Sequence, residues 1–172
     1  MKFSEVIGQE EAQARLVQLV HENRVPHALM LCGPQGCGKL ALALAFASYV
    51  LGERDAKGQS ILASESAILN AEAMLRNWQH PDLHFTYPVI RPTGTSSDHK
   101  MISDDFGKEW RMLLNDTVYF SIDQWLECMK ATTQQAQIFE AESDNLTQKL
   151  SLKSSQGGYK VCLIWLPERM NQ

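Results

Sequence analysis

Gly33-Pro34-Gln35-Gly36-Cys37-Gly38-Lys39-Leu40 is the segment whose residue types and spacing carry the most specific chemistry. It fits GxxxxGK at every fixed position. Glycines at these places let successive backbone N–H groups converge on an anion, and a helix that starts directly after them aims its positive end at the same point. Lys39 adds a point charge suited to the terminal phosphates of a nucleotide. These eight residues are the candidate nucleotide- or phosphate-binding set.

The pattern normally continues with Ser or Thr, whose hydroxyl holds Mg²⁺ beside the phosphates. Leu40 stands there, and leucine cannot bind a metal. A second metal-holding element would be a pair of acids at the end of a buried strand. After Val161-Cys162-Leu163-Ile164 come Trp165 and Leu166, and the nearest acid, Glu168, follows Pro167 out of position. Both metal-holding elements are lost, so no catalytic residue and no metal ligand is assigned. No cofactor is required: the loop either holds ATP, ADP or a simple anion weakly, or is kept for its backbone shape alone. An active P-loop ATPase or a small-molecule kinase is the alternative, and Leu40 and Trp165 argue against both.

Other reactive side chains have blander readings. His80 and His84 share an H-x3-H spacing, but a strand aligns such a pair only loosely and no third ligand accompanies them. Cys37 sits where a thiolate would be stabilised, yet a small spacer suffices there. Trp165 is expected to fill the space that an acid and its hydrated metal would otherwise occupy.

Periodicity supplies the elements that must position the loop. Ala12, Leu16, Leu19 and Val20 form one stripe of a helix over residues 9–23. Residues 28–32 form a continuous apolar run ahead of the glycines, which predicts a strand buried on both faces. Residues 40–51, rich in Ala and Leu and free of Gly and Pro, predict a buried helix closed by Gly52. A further helical stripe runs from Ile61 to Trp78, and residues 83–89 read as a short strand. The polar stretch 91–103, carrying Pro, Gly and Ser, marks a surface loop, taken as an insertion near 91–104. Ser121 opens a helix with Gln124 completing a capping box and Phe120 and Trp125 at the staple positions. Another helix is expected over 134–150, then a turn at Gly157-Gly158 and a third buried strand over 159–166.

Alternating strands and helices predict an α/β fold: a parallel sheet of at least three strands, near 28–32, 83–88 and 160–166, with helices on both faces. One compact domain spanning 1–172 suits the length and the 44% hydrophobic content. A formal charge of −4 argues against a broad nucleic-acid surface and for a protein partner. Four scattered cysteines without a CxxC pair suit a reducing cytosol, the N-terminus lacks a signal-peptide core, and no apolar run is long enough for a membrane span. A soluble, cytoplasmic protein is expected.

Three segments together resemble one family. Ile7-Gly8-Gln9, a helix, and Arg24-Val25-Pro26-His27-Ala28-Leu29 lead into the glycine loop; His80-Pro81-Asp82-Leu83-His84 enters the second strand; Tyr159-Lys160-Val161 through Arg169-Met170-Asn171 forms the third strand and its exit. This arrangement, over residues 5–52, 80–88 and about 150–171, resembles the AAA+ clamp-loader ATPases, specifically the delta-prime type of bacterial DNA polymerase III. The resemblance implies a three-layer P-loop NTPase fold. It implies a non-hydrolysing scaffold in a ring whose other subunits use ATP to load a sliding clamp onto primed DNA. The family's sensor residues, arginine finger, lid and collar would lie beyond residue 172. Many relatives carry a four-cysteine zinc module before the HPDLH segment, but residues 53–79 contain no cysteine, so zinc is not expected.

Overall fold

The computed structural model describes residues 1–55, 57–156 and 158–170. Gly157 of the expected turn and Asn171 of the expected strand exit lie outside them. The chain forms α1 (Glu10–His21), α2 (Lys39–Val50), α3 (Glu65–Leu75), β1 (Leu83–Thr86), α4 (Gly107–Asp116), α5 (Ile122–Cys128), α6 (Ala141–Ser151) and β2 (Val161–Ile164). It is an α/β fold with a small parallel sheet and, among the described residues, six α-helices. None of these helices is long and apolar enough to cross a membrane.

β1 and β2 pair in parallel, with Leu83 opposite Val161 and Thr86 opposite Ile164. Side chains alternate across the pleat. Leu83, Phe85 and Leu163 therefore enter the hydrophobic core with Leu44 of α2 and Trp110 of α4. His84, Thr86 and Cys162 take the opposite face, where Thr86 meets Glu142 of α6. Helices thus lie on both faces of the pair.

α2 is the most buried helix, because an Ala- and Leu-rich sequence has no polar face to present to water. It ends in a Schellman turn: Gly52 N–H bonds Tyr49 C=O at 3.1 Å and Glu53 N–H bonds Ser48 C=O at 3.0 Å. Gly52 has φ 108, and a Cβ there would clash with the Leu62 side chain. Gly52→Ala should therefore combine a left-handed backbone penalty with overpacking. A loss of about 2–3 kcal/mol in urea unfolding is expected; a loss below about 0.5 kcal/mol, within the range of neutral surface changes, would refute this reading of the turn.

Three expectations need correction. Residues 28–32 are not a buried strand: Leu29 is 45% and Met30 77% exposed, and among the described residues no backbone hydrogen bond reaches the segment. An apolar run specifies a strand only where a partner supplies the ladder, and among the described residues no strand pairs with residues 28–32. The described sheet accordingly has two strands, not three. The expected helix over 134–150 begins only at Ala141, because Gln137 and Val89 exchange backbone hydrogen bonds at 3.0 Å and Ile138 N–H bonds Arg169 C=O at 2.8 Å. Sheet-like pairing wins over helical propensity there.

α4 was not foreseen, although Trp110, Leu113 and Leu114 lie at i, i+3 and i+4 and are all buried. The 91–104 stretch carries no helix or strand until a 3-10 turn at Ser103–Phe106, and it is mostly exposed, but its end turns inward: Met101 and Ser103 are buried. The capping box of α5 is formed as expected. Ser121 Oγ accepts the Gln124 N–H at 3.3 Å and Gln124 Oε1 accepts the Ser121 N–H at 2.8 Å. Trp125 then points into the core and donates its indole N–H to Pro88 C=O at 2.7 Å.

Candidate phosphate-binding loop

Residues 33–38 form a turn that leads straight into α2, so the last glycine is also the helix N-cap. Gly36 (φ 81) and Gly38 (φ 82) both occupy the left-handed region. Single left-handed residues among right-handed ones turn neighbouring N–H groups the same way, which is how a short loop becomes an anion cradle. Among the described residues, the N–H groups of Gln35, Gly36, Gly38, Lys39 and Leu40 donate to no protein group; Cys37 N–H alone reaches back, to Pro34 C=O at 3.5 Å. No carboxylate bonds any of them. The first turn of α2 contains no acid.

Lys39 closes the mouth of the loop. Its Nζ donates to Gly33 C=O at 2.8 Å and Pro34 C=O at 2.7 Å, and Cys37 Sγ lies 3.8 Å away. These contacts turn the carbonyls of Gly33 and Pro34 toward the ammonium. They also engage the ammonium's donors, so an anion must compete for them. Gln9 adds an external fastening, its Nε2 donating to Cys37 C=O at 2.9 Å. Seven of the eight candidate residues, 33–39, are therefore gathered in one turn. Leu40 instead packs against the hydrophobic core.

The end of β2 is equally apolar. Trp165 packs on Trp110 (centroids 5.4 Å apart) and Phe120 (5.1 Å), within a cluster in which Trp110 also stacks on Tyr87 at 4.0 Å. Trp165 thus fills this space with ring. Glu168 lies on an exposed 3-10 turn, Pro167–Arg169.

The HPDLH segment sets the height of β1 against β2. The buried Asp82 carboxylate accepts the N–H groups of Ser155 (2.8 and 2.9 Å) and Gln156 (3.3 Å), and its carbonyl accepts Val161 N–H at 2.8 Å. Lys160 Nζ caps α6 through Lys149 C=O and Leu152 C=O, delivering the chain into β2. His80 Nδ1 accepts the Asp82 N–H at 3.1 Å, which leaves the proton of the neutral ring on Nε2. Burial pushes the His80 pKa down against the opposing pull of Asp82. His84 is pushed down by burial first and then by Lys149 and Lys160. The two histidines hold a buried corner in neutral form. Among the described residues, no group of three or more His, Cys, Asp or Glu side chains is placed to hold a metal ion.

The sequence comparisons point one way. Over 52 residues the chain is 44% identical to the replication factor C small subunit of Methanothermobacter thermautotrophicus. Over 51 residues it is 45% identical to replication factor C small subunit 2 of Pyrobaculum aerophilum. Each match covers 30% of this chain and 16% of the relative. No solved structure gives a significant match. The model of a family described as DNA polymerase III, delta subunit, matches residues 8–172, which takes in the glycine loop, the HPDLH segment and both strands. By that match over nearly all its length, the chain belongs to this clamp-loader family.

Proposed function

We propose that this chain is the nucleotide-fold part of a clamp-loader subunit in DNA replication, acting as a non-hydrolysing scaffold while neighbouring subunits use ATP to place a sliding clamp on primed DNA. Its parent architecture is the three-layer P-loop fold of AAA+ proteins. Its partners are other clamp-loader subunits, and it meets the clamp and DNA through the assembled complex. The family match supports the role in clamp loading.

One observation carries the non-hydrolysing part. The loop's N–H groups are left without protein partners among the described residues, while Leu40 and Trp165, which stand where the family pattern expects metal ligands, are built into hydrophobic packing, Leu40 on the core and Trp165 between Trp110 and Phe120. Without a hydroxyl and a carboxylate at those two points, neither the metal nor the attacking water is positioned. Phosphate binding and hydrolysis therefore come apart.

Calorimetry and turnover test this together. Sulfate or ADP should bind at millimolar concentration in low salt, and Lys39→Ala should weaken that binding about tenfold, the value of one charge-assisted hydrogen bond. Binding should fade at physiological ionic strength, where exposed charges are screened over about 8 Å. With Mg²⁺ and ATP, wild type should turn over no faster than Lys39→Ala. Hydrolysis abolished by Lys39→Ala would replace the scaffold with an active P-loop ATPase, and absence of any anion binding would reduce the loop to a structural turn.

A further inference from the structure

Two side chains outside the motif tie the loop to the N-terminal segment. Gln9 reaches Cys37 C=O, as described. Tyr119, in the connection between α4 and α5, makes the second tie. Its Oη accepts the Ile7 N–H at 2.8 Å, and its ring edge lies against Gly38, where a Cβ would meet Cε1 at 3.6 Å. Thr117 fixes the tyrosine backbone, its Oγ1 accepting the Tyr119 N–H at 3.1 Å. Between the two ties, Gly8 (φ 66) and Gln9 (φ 64) are both left-handed. That conformation is disfavoured for glutamine and persists only where surrounding contacts hold it. Ile7, next in line, is 75% exposed, an apolar side chain held out in water.

The geometry points to Tyr119 as a positioning residue that couples occupancy of the phosphate loop to the pose of residues 7–9. Gly38 is the left-handed hinge at which the loop becomes α2. An anion drawn onto the N–H groups of Gly36, Gly38 and Lys39 pulls on that hinge, and the ring packed against it moves with it. Through its hydroxyl the ring carries the Ile7 amide. Through Cys37 C=O, the neighbouring peptide carries Gln9. The consequence is that an event at the loop is presented on the surface as a new pose of Ile7. This coupling rests on the phosphate-binding reading of the loop.

Amide NMR of the isotopically labelled chain, titrated with sodium sulfate at low ionic strength, separates the two ideas. Sulfate carries no base or sugar that could contact Ile7 alongside the loop. In wild type the Ile7 amide should shift along the same saturation curve as Gly36 and Gly38. Tyr119→Phe keeps the ring and removes the acceptor, so the Ile7 resonance should stop tracking sulfate. Affinity should also fall about three- to tenfold, the worth of one hydrogen bond. A merely structural tyrosine would lower thermal stability and move neither curve. Shifts at Gly36 and Gly38 with Ile7 silent in wild type would overturn the coupling alone, as would an Ile7 that still tracks sulfate in Tyr119→Phe. No shift at Gly36 or Gly38 would remove the phosphate-binding reading, and the coupling with it.

Discussion

Replacing Trp110 with alanine should cost about 3–5 kcal/mol and lower Tm by roughly 10 °C. Trp110 is the hub of the aromatic core. It stacks on Tyr87 (4.0 Å, 16°), meets Trp125 (5.2 Å), Phe120 (5.5 Å) and Trp165 (5.4 Å), and touches Phe85 (6.0 Å). Those rings come from β1 and the residue after it, from α5 and the connection before it, and from the residue after β2. Truncation leaves a cavity where they converge, and rings held in place from several sides cannot collapse into it. Trp110→Phe should cost less than half as much, because its indole N–H has no partner among the described residues and its removal relieves a buried donor. Urea unfolding checks both variants. A Trp110→Ala protein within 1 kcal/mol of wild type would mean that the cluster does not hold the core.

Glu142→Ala should cost about 3 kcal/mol, for a different reason. Glu142 is 2% exposed. Its Oε2 accepts the Ser103 N–H at 2.6 Å, and its Oε1 accepts Thr86 Oγ1–H at 3.3 Å and an Asn145 Nδ2–H at 3.0 Å. One carboxylate thus joins the end of β1, the turn that ends the 91–104 stretch, and α6. Ser103 continues the network, its Oγ accepting the Tyr87 N–H and donating to Tyr87 C=O, both at 3.0 Å. Alanine would strand a buried backbone N–H and a buried hydroxyl, at roughly 1–3 kcal/mol each where water cannot replace the carboxylate. Glu142→Gln keeps an acceptor oxygen and should recover about half of the loss. Hydrogen exchange at Ser103 would localise the effect: an amide still protected in Glu142→Ala would contradict the proposed anchor.

The local features of this fold were legible in the sequence. α2, the stop at Gly52 and the capping box of α5 depend on neighbours within a few residues, and each formed where pattern and turn chemistry placed it. Non-local pairing was not legible. Whether residues 28–32 or 136–138 join a strand is decided by what lies beside them in space, and apolar content cannot report that. α4 carries a helical stripe in Trp110, Leu113 and Leu114, but it is short and follows directly on the polar 91–103 stretch. At the candidate site, spacing alone gave Gly36, Gly38 and Lys39 their places in one turn. Tyr119 carried no signal, because its relation to Gly38 and Ile7 exists only once α4 and α5 have packed. That Leu40 and Trp165 are apolar is plain in the sequence, and only the packing shows where each side chain goes.

The sheet has one more property, a matter of timing. The carboxylate of Asp82 closes on an amide 73 residues further along the chain, and β1 finds its ladder partner only beyond that point. During synthesis, the HPDLH segment leaves the ribosome well before β2 exists, with Leu83, Phe85 and Tyr87 ready to be buried and nothing to pair with. Closing so long a loop costs entropy before any strand contact rewards it. The contacts that Trp110 and Glu142 make with β1 span fewer residues, so they close at a smaller entropic cost than the β1–β2 ladder itself.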